Sequence, residues 1–133
     1  LSKLFDSVVV AVNTNTEKRY MFSAESRERF VKQAFSHLDN VTVVAQDGWA
    51  ADLAAQYGAD VIVKGVRGSI DLEYEDTIST VNREISKVET LYIPASPALS
   101  HINSTAVREM IKHGKNYKPF IPEGVVIEYG KDV

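Results

Sequence analysis

Residues Val61 to Arg83 read VIVKGVRGSIDLEYEDTISTVNR. The first three, Val61, Ile62 and Val63, are β-branched, the composition of a short buried strand. Lys64, Gly65, Val66, Arg67 and Gly68 follow at once, so two cations stand in a turn with two glycines. Glycine takes backbone angles that other residues avoid, and it lets a ligand approach the main chain. A helix comes next, with Asp71, Glu73, Glu75 and Asp76 suited to its positive N-terminal end. Strand, basic loop and helix together place cations and backbone N–H groups at the carboxyl end of a sheet, where open α/β sheets bind anionic ligands. The same residues also read as a solvated turn with surface ion pairs, and a short glycine-containing turn does not by itself separate the two.

Outward from this stretch the pattern repeats. Val8 to Val12, VVVAV, is a continuous apolar run suited to a strand buried on both faces. The polar loop Asn13 to Tyr20 follows it. Ser23 is an N-cap before a helix with Phe30, Val31, Ala34, Phe35 and Leu38 on one stripe and Arg27, Arg29, Lys32 and Gln33 turned outward. Val41 to Ala45 is a second strand, and a short helix holding Trp49, Ala50, Leu53 and Tyr57 ends at Gly58. The long helix after the basic loop carries Ile70, Tyr74, Ile78, Val81 and Ile85 at helical spacing, a stripe for the core and for an oligomer contact. Thr90 to Ile93 is a fourth strand, and Pro94 and Pro97 keep the next segment irregular. Asn103, Ser104 and Thr105 are capping residues ahead of a helix with Val107, Met110 and Ile111 inward, and such a helix end suits phosphate. His113 stands before the stop at Gly114, and Pro122 starts a last short helix with Val125, Val126 and Ile127 packing down. Strand and helix alternate throughout. The expected fold is therefore α/β, a Rossmann-like, doubly wound parallel sheet in a single domain, 1–133, with right-handed crossovers. Lys18, Lys64, Arg67, Ser104 and Thr105 all fall after strands and are expected on one rim of that sheet.

Composition narrows the function. At 133 residues, 44% hydrophobic and 25% charged, the chain is an ordinary globular domain with room for a core. A net charge of −3 gives no general attraction for nucleic acid or anionic membrane. The absence of cysteine excludes disulfides, thiol catalysis and Cys–zinc sites. No apolar run approaches the roughly 20 residues of a membrane span, and Leu1 to Val12 has neither a basic leader nor a cleavage site. The expected location is the cytoplasm.

K-G-V-R followed by D-L-E-Y-E resembles the R-G-x-R…D-x-E-Y-E signature of bacterial phosphopantetheine adenylyltransferases, and I-N-S-T-A-V-R resembles the I-S-S-[ST]-x-[IV]-[RK] motif of the nucleotidylyltransferase superfamily. The resemblance runs from Phe5 to Pro122. Lys64 stands where the signature has Arg. The family also begins with a strand and a T/H-x-G-H loop that have no counterpart in these residues, so the first strand is read as missing. The histidine of that loop stabilises the transition state in the family; no residue here takes its role, and the catalytic residue is left unassigned. A polypeptide of these residues alone is expected to be poorly soluble and catalytically silent, with weak nucleotide binding.

The resemblance implies adenylyl transfer from ATP to 4′-phosphopantetheine, giving dephospho-coenzyme A and pyrophosphate. It implies that Lys18, Trp49, Ala50 and Lys64 meet the acceptor. It places Gly65, Val66, Arg67 and Glu75 on ATP, with Leu99, Ser100, His101, Ile102, Asn103, Ser104 and Thr105. Taken from the residues alone, Lys18 reads as an exposed loop lysine, Trp49 as a core residue, and His101 either as an adenine contact or as simply exposed. Magnesium is expected to come with ATP, held through its phosphate oxygens and not by a protein cluster. Coenzyme A is a further expected ligand, and the family implies a homohexamer. Two alternatives stand beside this reading: a non-catalytic nucleotide- or coenzyme A-binding domain, and a nucleotidylyltransferase with another nucleotide or acceptor.

Overall fold

The computed structural model describes residues 1–14, 20–128 and 130–132. Four strands alternate with helices: β1 (Val8–Asn13), α1 (Ala24–Phe35), β2 (Val41–Gln46), α2 (Ala50–Gln56), β3 (Val61–Val66), α3 (Ser69–Ser86), β4 (Glu89–Pro94) and α4 (Ser104–Lys112). The strands pair in parallel, β1 with β2 and β3 with β4. Parallel neighbours need a crossover, and α1 and α3 supply it. This is the Rossmann-like α/β arrangement the alternation predicts. The residues divide into two compact units, one of Leu1–Asp47 with Asn103–Val133 and one of Gly48–Ile102.

In the first unit, Val8 lies opposite Val41 and the register runs without a break to Asn13 opposite Gln46. Val12 and Ile111 are its buried apolar residues. The prediction that Val8 to Val12 is buried on both faces does not hold: Val8, Val9 and Val10 are half-buried and Ala11 is exposed. Among the described residues β1 has a hydrogen-bonded neighbour on one edge only, which leaves its apolar run partly uncovered. Ser23 caps α1 as predicted, its Oγ accepting from the Ser26 N–H at 3.1 Å. Gln33, predicted to face water, is half-buried and accepts the Val126 N–H at 3.0 Å. Arg29 turns to Asp132, whose side chain is 1% exposed and also receives Ser26 Oγ and the Glu128 N–H. Among the described residues no helix follows Pro122. The chain makes a turn there, Gly124 takes φ +85°, and Val126 is exposed. A positive φ does not continue a right-handed helix.

In the second unit, β3 is longer than its β-branched start. Lys64 and Gly65 are strand residues opposite Tyr92 and Ile93, and the bend begins only at Arg67. Neither Gly65 nor Gly68 has positive φ, so their value here is the missing side chain and not an unusual backbone angle. Gly58, by contrast, does end α2 at φ +59°. A single 3-10 turn, Pro97–Leu99, interrupts the segment predicted to be irregular.

The orientation of α3 departs in part from the stripe expected to serve the core and an oligomer contact: of its residues Ile78 alone is covered. Ile70 is 82% exposed, Tyr74 68% and Ile85 54%, while the buried residue of the helix is Asn82, at 1%. The covered positions, Asp71, Glu75, Ile78, Ser79, Asn82 and Ser86, recur at three- and four-residue steps and are mostly polar. Polar partners explain the choice: Tyr92 Oη of β4 donates to Ser79 Oγ at 2.7 Å, and Lys64 of β3 meets Glu75.

Candidate functional site

The site grows out of the β3–α3 junction. Lys64 leaves the strand as an aminoalkyl chain one-third exposed, its Nζ 3.2 Å from Glu75 Oε2. That oxygen is buried and takes no well-directed hydrogen bond. Arg67, at the bend, is tied to Asp71 one helical turn on. Its backbone N–H and its Nε–H both donate to Asp71 Oδ2, at 3.2 and 3.3 Å. The two ion pairs are nested, Arg67–Asp71 inside Lys64–Glu75. The acids stand four residues apart on the covered face of α3, so both look toward the strand that carries the cations. Gly65, Arg67, Ile70, Asp71, Tyr74 and Glu75 line a half-open groove of about 440 Å³. A Cβ built on Gly65 meets nothing within 4 Å, so its floor is open main chain. The groove therefore combines a bare backbone, one cation, two acids and an exposed aromatic ring, with Lys64 paired to its Glu75 wall, a surface with a partner for phosphate, sugar and base alike.

The remaining expected residues lie as follows. Lys18 falls outside the described residues. Trp49 is at the N-cap position of α2 with its side chain 53% exposed, which removes the core reading of the tryptophan; Ala50 opens the helix behind it. Val66 ends β3 and accepts the Ala95 N–H. Leu99 closes the 3-10 turn, Ser100 Oγ donates to the Pro97 carbonyl at 2.9 Å, His101 is exposed and Ile102 half-buried. Asn103 caps α4, its Oδ1 accepting the Ala106 N–H at 2.9 Å. Ser104 and Thr105 are exposed in the first turn, and Thr105 Oγ1 accepts from Arg108 at 3.0 Å. The second unit thus brings Gly65, Arg67 and Glu75 to one groove, with Lys64 paired to Glu75. Ser104 and Thr105 belong to the other unit, on the capped helix end the sequence predicts.

Comparison with known proteins decides the family. The cytidylyltransferase-like family model matches residues 1–110. The phosphopantetheine adenylyltransferase of Flavobacterium psychrophilum is 39% identical over 125 residues, 94% of this chain and 83% of that one. Those of Streptococcus gordonii and Streptococcus agalactiae are 40% and 41% identical, over 96% and 98% of this chain and 79% and 82% of theirs. The chain belongs to the phosphopantetheine adenylyltransferase family. It is a nucleotidyltransferase-type enzyme chain with the family's α/β fold.

Three groove residues were given no place in the site by the sequence reading of this family member. Asp71 opens the D-L-E-Y-E block and stands near a helix start; its spacing of four from Arg67 is the signal for their pairing. Ile70 and Tyr74 stand on the stripe read as serving the core and an oligomer contact, because apolar periodicity alone does not say which stripe of a helix faces the sheet. Among the described residues, no group of three or more His, Asp or Glu side chains is placed to hold a metal ion, and no helix is long and apolar enough to cross a membrane.

Proposed function

We propose that this chain transfers the adenylyl group of ATP to 4′-phosphopantetheine. A phosphate oxygen of the acceptor forms a bond to the α-phosphorus as the bond from that phosphorus to the bridging oxygen breaks. Dephospho-coenzyme A and pyrophosphate result. One observation carries the reading: Arg67, the bare Gly65 backbone and Glu75 line one groove, with Lys64 paired to Glu75, in a chain about 40% identical to phosphopantetheine adenylyltransferases along nearly all its length.

Arg67, Ser104 and Thr105 hold the pyrophosphate end of ATP, and Gly65, Val66 and Glu75 hold the nucleoside. The Glu75 carboxylate lines the groove and can accept from a ribose hydroxyl. Leu99, Ser100, His101, Ile102 and Asn103 complete the nucleotide wall. Lys18 and Lys64 take the acceptor's phosphate, and Trp49 and Ala50 lie along its pantetheine arm. A magnesium ion brought by ATP would supply charge neutralisation at the phosphates; Asp71 and Glu75 are already engaged with cations, which favours an ion held through the nucleotide. No nucleophilic side chain is needed, because orientation and charge neutralisation supply most of the acceleration in such transfers. The residues act as a single nucleotidylyltransferase-like domain in a cytoplasmic homohexamer, without nucleic acid or membrane partners. The exposed apolar stripe of α3 supports association.

Calorimetric titration with ATP, CTP, phosphopantetheine and dephospho-coenzyme A tests the proposal. The expected result is binding of ATP, phosphopantetheine and dephospho-coenzyme A, with CTP weaker than ATP. Equal or tighter binding of CTP would overturn the adenylyl assignment.

A further inference from the structure

We infer that Asp71 is a positioning residue, one that aims the Arg67 guanidinium at the pyrophosphate portion of the nucleotide. The inference rests on the reading of the groove as a nucleotide site and names a part the motif comparison leaves without a role. A guanidinium has five N–H donors: one on Nε and four on the two terminal nitrogens. Asp71 Oδ2 takes the Nε–H at 3.3 Å and, with the same oxygen, the backbone N–H of Arg67 at 3.2 Å. One oxygen thus ties the side chain to its own main chain. The bond lies on the Nε side, so the two terminal nitrogens stay available as the planar fork that grips phosphate bidentately.

A stabilising role does not account for the arrangement. The Arg67 and Asp71 side chains are 54% and 40% exposed, and exposed pairs of this i,i+4 type add little to folding. Their placement matters more. Both line the groove, with Gly65 between the two cation-bearing positions and Glu75 one turn beyond Asp71. An unrestrained arginine at a bend would spread over many rotamers, and ordering it would weaken each encounter with ligand. Asp71 also brings a negative charge close to the anion. The two effects of Asp71 therefore oppose each other, and the sign of its removal separates them: loss of aim weakens binding, whereas loss of repulsion strengthens it.

The test is calorimetry of the full chain with inorganic pyrophosphate, ATP and phosphopantetheine, for the wild type, Asp71→Ala, Asp71→Asn, Arg67→Ala and the Asp71→Ala/Arg67→Ala double variant. Asp71→Ala should weaken pyrophosphate and ATP about tenfold, the loss of one charge-assisted bond's worth of orientation, and leave phosphopantetheine within about twofold. Asp71→Asn keeps an oxygen that accepts the same two N–H groups and should restore most of the binding. With Arg67 already removed, Asp71→Ala should change pyrophosphate binding by no more than about twofold. Unchanged or tighter pyrophosphate binding by Asp71→Ala overturns the inference, as does a loss that persists without Arg67 or that falls equally on phosphopantetheine. If the wild type binds neither pyrophosphate nor ATP, the nucleotide reading itself fails and takes this inference with it. Wild-type binding with an inert Asp71→Ala removes the inference alone.

Discussion

Lys64 is the residue whose chemistry departs most from the family signature. Arginine offers a planar fork, whereas lysine is a point charge with three rotatable donors. Glu75 holds Lys64 Nζ at 3.2 Å and restricts that freedom. Lys64→Ala should therefore weaken phosphopantetheine binding by about 1.5–3 kcal/mol, the range for a hydrogen bond to a charged group, and Lys64→Arg should keep most of it. Unchanged acceptor affinity in the alanine variant would make Lys64 a surface lysine. Trp49 offers a second test at this scale. It is the only tryptophan and its side chain is half exposed, so its fluorescence reports on its surroundings without competition from another indole. Adding phosphopantetheine should shift the emission to shorter wavelength as the ring is covered; pyrophosphate alone should not. Identical spectra with and without phosphopantetheine would remove Trp49 from the acceptor site.

Among the elements, α1 is the one secured from far along the sequence. Asp132 is buried against it, and the Arg29 guanidinium, with the Glu128 N–H and Ser26 Oγ, holds its carboxyl below the ordinary value of 3.8 although burial works the other way. A lowered folded pKa means stability present above the unfolded value and lost as pH falls through the folded one. The difference in melting temperature between wild type and Asp132→Asn should thus be steady near neutral pH and close as pH drops below 3.8. A difference that stays constant into acid would mean that the Asp132 charge contributes nothing. This contact also marks a limit of sequence reading, because Arg29 and Asp132 are separated by 103 positions and nothing local announces the pair. Local signals fared better. VVVAV and VTVVA gave β1 and β2, Ser23 and Asn103 gave the caps of α1 and α4, and Gly58 and Gly114 gave helix stops. The β-branched run ended at Val63, yet β3 continues to Val66, because the ladder to Tyr92 and Ile93 tolerates Lys64 and Gly65. In α3, ion pairs and a tyrosine hydroxyl outweighed the apolar stripe, and periodicity measures only apolarity.

For the whole molecule, that stripe becomes a prediction about assembly. Val81 and Ile85 are exposed on α3 and lie away from the groove residues. Replacing an exposed apolar side chain with a charge changes folding stability by no more than about 0.5 kcal/mol. Val81→Glu with Ile85→Lys should therefore leave the circular dichroism spectrum intact and lower the mass measured by sedimentation. An unchanged mass would place the oligomer contact elsewhere. How much of the site was legible follows from its geography. The β3–α3 half was readable, because Lys64, Gly65, Arg67 and Glu75 lie within 12 consecutive residues that also meet in space. The α4 motif was readable through its Asn103 cap. The central claim is that the β3–α3 groove is a nucleotide site that prefers ATP. Amide chemical-shift mapping on the isotope-labelled chain tests it most directly, with ATP and then CTP added to separate samples. The account predicts that ATP shifts Gly65, Arg67 and Glu75 along one saturation curve, and that CTP does so only at higher concentration. Unmoved groove amides in the presence of ATP, or equal responses to both nucleotides, would contradict it.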